Sequence, residues 1–203
     1  MRKGLLVVSV LLFVALAYHL KWTTAPSVAL SDAAERGAPR QRDDAGARAA
    51  FLAAYPVFMH PRCMNCHPVG DAPLQGDDSH LHAQNVKRGP DGRGKFGMKC
   101  SACHQDVNLA GENMPPGNPN WHLPPPNMRM VFEGKTPGQL CRQMKDRRQN
   151  GGKTTEQLVH HVSEDSLVLW GWNPGDGRTT PPSHAEFVQN VRAWVDKGAA
   201  CPD

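Results

Sequence analysis

The sequence is short of the side chains that usually build a protein core. Aromatic residues make up 6% of its 203 residues and hydrophobic residues 39%, and the mean hydropathy is −0.52. Glycine and proline are plentiful instead, at 19 and 18, which is more than an average protein carries. This composition argues against a tight helical bundle or a long regular sheet. The five Trp and six Phe still have to be buried, so it does not indicate disorder.

The chain also lacks a strong charge of one sign. Its formal net charge is +4, and Arg2 and Lys3 at the extreme N-terminus supply two of the positive charges. A nucleic-acid-binding surface needs a concentrated basic patch, so we expect no nucleic-acid partner. One basic strip lies on a predicted helix, where it either steers an acidic protein partner or is a solvated helix face. Its residues are Arg142, Lys145, Arg147 and Arg148.

The longest apolar run, residues 5–20, is shorter than the ~20 residues of a comfortable transmembrane helix. It follows the positive pair Arg2 and Lys3, and residues 15–17 read Ala-Leu-Ala, a small-x-small cleavage site. We therefore predict a signal peptide or an N-terminal membrane anchor. The predicted organisation is this segment over 1–22, a flexible linker over 23–46 and one domain over 47–203.

Four of the six cysteines stand in two copies of Cys-x-x-Cys-His, at residues 63–67 and 100–104. This is the attachment signature of c-type haem. Each thiol adds across one vinyl group of the same porphyrin, which fixes the spacing of the two sulfurs. The next residue then lies under the iron as the proximal ligand. The sequence therefore predicts two haem c groups, bound through Cys63, Cys66, His67, Cys100, Cys103 and His104.

Two other chemistries use paired cysteines. Two Cys-x-x-Cys pairs can form a tetrahedral zinc site, and one pair can be a thioredoxin-like redox couple. Neither requires a His directly after the second Cys. Free cysteines also tend to oxidise after export. Covalent haem attachment takes place on the far side of the bacterial inner membrane, so the N-terminal segment and the motifs agree. We expect a bacterial periplasmic protein, soluble or anchored to the inner membrane.

The motifs make the chain resemble periplasmic dihaem c-type cytochromes. More narrowly, it resembles a family of small bacterial cytochromes, some of which are labelled partners of isoquinoline 1-oxidoreductase-type molybdenum hydroxylases. This resemblance would cover roughly residues 50 to 202. It is carried by residues 60–68, 76–92 around His82, 121–125 and 171–175. It implies redox protein partners, among them a molybdenum hydroxylase-type dehydrogenase.

The fold we expect is mainly α with extensive irregular loops and few or no strands, organised by the haems as one unit. Helices are predicted over residues 47–59, from Thr136-Pro137 to about residue 148, and after a cap at Thr154 or Thr155. The last helix should open with a capping box at residues 183–186. Residues 114–126 hold six prolines and are predicted to be an extended loop.

For the distal iron ligands we predict His82 on one haem and Met130 on the other, without assigning which haem each serves. His82 lies in the connection between the motifs and is free to fold back, and Met130 follows the proline-rich loop. A Met ligand generally raises the reduction potential above that of a bis-His haem. Other candidates are His60, His80, His122, His160, His161, His184, Met98, Met114 and Met128.

The two remaining cysteines, Cys141 and Cys201, predict a disulfide, since an unmatched pair in an oxidising compartment usually pairs. The function that these residues favour is electron transfer without a substrate, so the chain is not expected to be an enzyme. The alternative is a dihaem enzyme of peroxidase type, which needs one open distal haem position. No acid/base pair for that chemistry stands out in the sequence.

Overall fold

The computed structural model describes residues 42–175 and 182–203, and this part of the chain contains six α-helices and two small hairpins joined by long loops. The helices are α1 (Asp44–Phe58), α2 (Pro61–Met64), α3 (Pro137–Lys145), α4 (Thr155–Glu164), α5 (Ser166–Trp170) and α6 (His184–Asp196). The antiparallel hairpins are β1 (Leu74–Gln75) with β2 (His80–Leu81), and β3 (Gly94–Lys95) with β4 (Met98–Lys99). Single turns of 3-10 helix lie at Cys100–Ala102 and Pro126–Met128. The expectation of a mainly α chain with few strands is confirmed.

The core lies where α1 packs against α6, and it uses a large share of the few aromatic side chains. Phe51 of α1 meets Trp194 of α6 edge to face, with ring centroids 5.3 Å apart. Phe58 packs against Phe187 at 5.1 Å and against Phe132 at 5.5 Å. Such edge-to-face pairs stabilise beyond the area they bury. A sequence poor in aromatics thus concentrates them in one place.

A disulfide links α3 to the segment that follows α6, as predicted. The sulfur atoms of Cys141 and Cys201 are 2.04 Å apart, and the Cα atoms are 5.5 Å apart. Cys141 is fully buried. Lys145, one turn further along α3, donates a hydrogen bond from Nζ to the carbonyl of Ala199 at 2.7 Å. The two links fix the chain after α6 against the core.

Several helix ends differ from the predictions. The first helix begins at Asp44 instead of residue 47, because Asp43 caps it by accepting the backbone N–H of Gly46. The middle helix ends at Lys145 instead of residue 148, because the backbone of Asp146 leaves the helical region. The capping box predicted for the last helix is wrong, since Ser183 makes no side-chain cap hydrogen bond.

The helices α4 and α5 both begin at side-chain caps. Thr154, rather than Thr155, caps α4, and it forms a full capping box with Gln157. The five-residue helix α5 was not predicted, and it begins at a second cap, where Asp165 accepts the N–H groups of Leu167 and Val168. Asp165, which ends α4 and caps α5, therefore separates two helices that the apolar pattern alone does not distinguish.

The chain between α2 and α3 has almost no side-chain core of its own. Between residues 66 and 131, all of which the structure describes, four hydrophobic residues are buried: Ala72, Leu74, Cys100 and Leu123. Backbone contacts hold the segment instead. The N–H of Leu123 donates to the carbonyl of Gly92 at 2.9 Å. Gly92 has a φ of +79°, and a Cβ there would lie 1.8 Å from the carbonyl oxygen of Leu123.

The predicted signal peptide or anchor, residues 1–22, and the linker up to residue 41 lie outside the described residues. Within residues 42–175 and 182–203, no helix combines the length and the apolar character that crossing a bilayer requires.

Candidate functional site

Both Cys-x-x-Cys-His segments fold into the same tight helical turn. In the first, the N–H of Cys66 donates to the carbonyl of Cys63 at 3.2 Å, and in the second the N–H of Cys103 donates to the carbonyl of Cys100, also at 3.2 Å. Pro61 starts the first turn at the head of α2. A turn of this kind places residues three apart on one side of the backbone. The two cysteines of each motif are therefore neighbours on one turn.

The ring of His67 is held by a backbone carbonyl and by an aromatic ring. Its Nδ1 donates a hydrogen bond to the carbonyl of Met130 at 2.6 Å. Its imidazole stacks on the ring of Phe132, with centroids 3.9 Å apart and planes 12° from parallel. Burial lowers the pKa of His67 to about 4, so the ring is neutral at neutral pH. Its Nε2 then carries the lone pair that binds metals.

The ring of His104 has an equivalent environment. Its Nδ1 donates to the carbonyl of Pro116 at 2.8 Å. The imidazole stacks on Trp121 with centroids 4.1 Å apart and planes 10° from parallel. Burial lowers the pKa of His104 as well. The proline-rich loop that carries Pro116 and Trp121 thus positions the second motif histidine, as Met130 and Phe132 position the first.

The four motif cysteines are free thiols in the structure. Burial raises the pKa of Cys63 to about 12, and burial together with the nearby Cys100 raises that of Cys66 to about 11. A reactive redox cysteine has a lowered pKa, so this setting disfavours a thioredoxin-like couple. Cys100 of the second motif lies close enough to Cys66 of the first to raise its pKa.

The donor groups do not assemble a zinc site. In the part of the chain that the structure describes, no cluster of three or more Cys, His, Asp or Glu side chains could hold a metal ion. The two cysteine pairs therefore do not converge on one tetrahedral centre, which a structural zinc site requires. A haem iron makes no such demand, because its porphyrin already supplies four ligands.

His82 lies beside the second motif. Its ring centroid is 6.3 Å from that of His104, with the ring planes at 63°. Its Nδ1 is buried and has no hydrogen-bond partner. The backbone N–H of His82 donates to the carbonyl of Pro73 at 3.1 Å, which fixes the residue just after the first hairpin. The structure therefore brings the first predicted distal residue to a motif histidine.

Met130 has a different relation to the first motif. Its backbone carbonyl accepts the hydrogen bond from Nδ1 of His67, and its side chain packs against the hydrophobic core. Nδ1 and Nε2 are on opposite sides of the imidazole, so Met130 is on the side away from the metal-binding nitrogen. This placement disfavours its sulfur as the ligand on the far face of the haem that His67 would hold.

The other described histidines have ordinary partners. His60 caps α2, His80 pairs with Asp78 at 2.6 Å, and His184 contacts the carbonyl of Val162 at 2.9 Å. The remaining pairs are His122 with the carbonyl of Asn120, His160 with Glu164 and His161 with Asp165. His161 also lies close enough to His67 to contribute to the lowering of its pKa.

Arg88 is a site residue that the sequence did not single out. It is 1% exposed, and its guanidinium donates to the carbonyls of Gly70 and Pro124, the former at 3.0 Å. Its Nε is buried without a partner. A buried cation next to the motif thiol of Cys66 is costly unless something nearby compensates it. An arginine within a polar loop gives no pattern that predicts burial.

Comparisons with protein-family models, with curated proteins and with solved structures found no match for this chain.

Proposed function

We propose that this chain is a periplasmic electron-transfer protein that carries two covalently attached haem c groups, one at each Cys-x-x-Cys-His motif. The observation that carries the proposal is the equivalence of the two motif histidines. Each donates Nδ1–H to a backbone carbonyl and stacks face to face on an aromatic ring. This hydrogen bond fixes the tautomer that leaves Nε2 free for a metal.

The burial pattern supports the same proposal. The segment that contains both motifs buries few apolar side chains and exposes several, among them Leu81, Phe96 and Val107. A segment of this kind cannot offset its conformational entropy through side-chain packing. Two porphyrins are large apolar bodies, and burying them against this segment would supply the missing contacts. The orphaned Nε of Arg88 and Nδ1 of His82 also fit a site completed by a further group.

The protein's own residues have distinct tasks in this proposal. Cys63 and Cys66 would hold one haem through thioethers, and Cys100 and Cys103 would hold the other. The neutral rings of His67 and His104 would bind the iron through Nε2 without first releasing a proton. When bound, each haem c supplies an iron that cycles between Fe(III) and Fe(II). The residues that hold the haem, and the hydrogen bonds that they make, would set its potential.

Redox protein partners are part of the proposal, and a molybdenum hydroxylase-type dehydrogenase is the partner that the sequence resemblance suggests. Two of the four residues of the basic strip are tied to the protein itself. Lys145 donates to the carbonyl of Ala199 and Arg147 to the carbonyl of Gly152. Arg142 and Arg148 are exposed on the same strip. They are the residues that would steer an acidic partner.

Optical spectroscopy with a redox titration tests the function. If the chain is an electron carrier, both haems should be six-coordinate and low-spin. The reduced protein should pass its electrons reversibly to a mediator without consuming peroxide. A high-spin ferric haem that binds and reduces peroxide would instead support the peroxidase-type alternative. A protein purified from a strain with the c-type attachment machinery and showing no haem absorbance would contradict the proposal.

A further inference from the structure

We propose that His82 and His104 bind one iron from opposite sides, so that the haem attached through Cys100 and Cys103 has two histidine ligands. The inference rests on the proposed function, because it takes two attached haems as given. It assigns His82 to a particular haem, which the sequence could not do.

The separation of the two rings carries the inference. Their centroids are 6.3 Å apart. With metal–imidazole nitrogen bonds of about 2.0 Å and roughly 1.1 Å from each nitrogen to its ring centre, two imidazoles on opposite sides of one metal have centroids about 6.2 Å apart. The planes of such a pair can adopt any twist about their common axis. The observed angle of 63° is therefore compatible with ligation.

The nitrogen atoms that are free on each ring support ligation over simple packing. Edge-to-face packing of two rings also falls within 4.5–7 Å, so the distance needs a second observation. The Nδ1 of His104 is already used in its hydrogen bond to Pro116, which leaves Nε2. The Nδ1 of His82 is buried and unpartnered, whereas each of the other described histidines makes a hydrogen bond or an ion pair with its ring. Burying a polar nitrogen without a partner is costly, and a metal would remove that cost.

The backbone holds His82 in place for this role. The preceding residues form β2, which pairs Leu81 with Leu74 of β1. His82 itself donates its N–H to Pro73 and accepts at its carbonyl from the N–H of Asn85 at 2.9 Å. A ligand on a backbone fixed on both sides loses little entropy on binding. His80, two residues earlier, is turned to Asp78 instead.

The test compares His82→Ala with the matched control His80→Ala in the full chain, purified with its haems. In the ferric protein we expect His82→Ala to convert one of the two low-spin haem signals in electron paramagnetic resonance to high spin, and added imidazole to restore it. His80→Ala should keep both low-spin signals. Two low-spin haems in His82→Ala would overturn the inference.

A second pair of variants identifies the haem concerned. Trp121→Leu changes the ring stacked on His104, and Phe132→Leu changes the ring stacked on His67. The signal lost in His82→Ala should be the one that Trp121→Leu shifts. If it is the one that Phe132→Leu shifts, His82 serves the other haem and the inference is wrong.

If His82→Ala yields no folded protein, His82→Met tests the inference instead. A thioether in place of the imidazole should keep the iron six-coordinate, raise the potential of one haem and add a sulfur-to-iron charge-transfer band in the near infrared. The absence of that band would overturn the inference. The haem content of the wild type distinguishes failure of this inference from failure of the proposed function, because a wild type without haem contradicts the proposed function itself.

Discussion

The imidazole of His67 lies face to face with the ring of Phe132, with centroids 3.9 Å apart and planes 12° from parallel. His104 has the same relation to Trp121. A ring stacked on an imidazole restricts its rotation about the bond to the backbone. Together with the hydrogen bond from Nδ1, it sets the direction in which Nε2 points.

If two haems are attached as proposed, Trp121→Leu should loosen His104 without detaching either of them, because the thioethers would not depend on the stacked ring. We expect the free energy of unfolding to fall by about 1 kcal/mol, the usual contribution of an aromatic pair, and one ferric resonance signal to broaden. Trp170→Leu is the control. It removes an edge contact with Trp121 at 5.0 Å and should leave the haem signals in place. An unchanged spectrum in Trp121→Leu would contradict a positioning role.

Met130→Leu tests the ligand prediction that the structure disfavours. Because the backbone carbonyl of Met130, rather than its sulfur, faces His67, we expect the variant to keep the visible and near-infrared spectra of the wild type. The carbonyl is retained in the variant, so the hydrogen bond to Nδ1 stays intact. Loss of a near-infrared sulfur-to-iron band in Met130→Leu would show that the sulfur is an iron ligand after all.

The number of free thiols tests the roles assigned to all six cysteines. If four cysteines carry haem and Cys141 pairs with Cys201, the denatured but unreduced protein has no thiol that a maleimide can label. Reduction should expose two. Replacing both residues by alanine should lower the free energy of unfolding by about 4 kcal/mol, because the bond closes a loop of 60 residues. Labelled thiols before reduction would contradict the assignment.

Asp43 links the beginning of α1 to the end of α6 in a pH-dependent way. Its hydrogen bond with Lys197, and then that from the Gly46 N–H, hold the pKa of Asp43 below its ordinary value. A lowered folded-state pKa stabilises above the unfolded-state pKa of about 3.9. This stabilisation is lost as the pH falls through the folded-state value.

Asp43→Asn should therefore melt at a lower temperature than the wild type at pH 7, and the difference should shrink as the pH falls below the ordinary carboxyl pKa of about 3.9 and Asp43 becomes protonated. Melting curves between pH 2.5 and 7, values chosen around the ordinary carboxylate range of about 4, give the comparison. Asp44→Asn, which removes an exposed pair with Arg42, is the control and should melt much like the wild type. A difference independent of pH would mean that the carboxylate charge is not involved.

The parts of the fold that the sequence predicts are the local ones. The cap at Thr154, for example, depends on Gln157 three positions away. The disulfide was predictable because the haem motifs leave two cysteines over. Ser183 shows the limit of such patterns, since its sequence fits a capping box that the backbone does not form.

The parts of the fold that the sequence does not predict depend on which distant residues the long loop between α2 and α3 contacts. Nothing local to His82 indicates that it lies beside His104, because the hairpin from Leu74 to Leu81 and the contact with Pro73 decide its position. The burial of Arg88 has the same origin, since its partners Gly70 and Pro124 are far from it in sequence. The position of Met130 after the proline-rich loop makes it a candidate ligand, and only its backbone geometry reveals the contact with His67.

Intact-mass measurement of the purified, denatured protein tests the central claim most directly. Covalent haem survives denaturation, whereas zinc or a non-covalent cofactor is lost. The account predicts the mass of the chain plus two haems, falling by one haem in Cys63→Ala/Cys66→Ala and in Cys100→Ala/Cys103→Ala. A mass equal to the chain alone, in protein made by cells that attach haem to a control cytochrome, would contradict it.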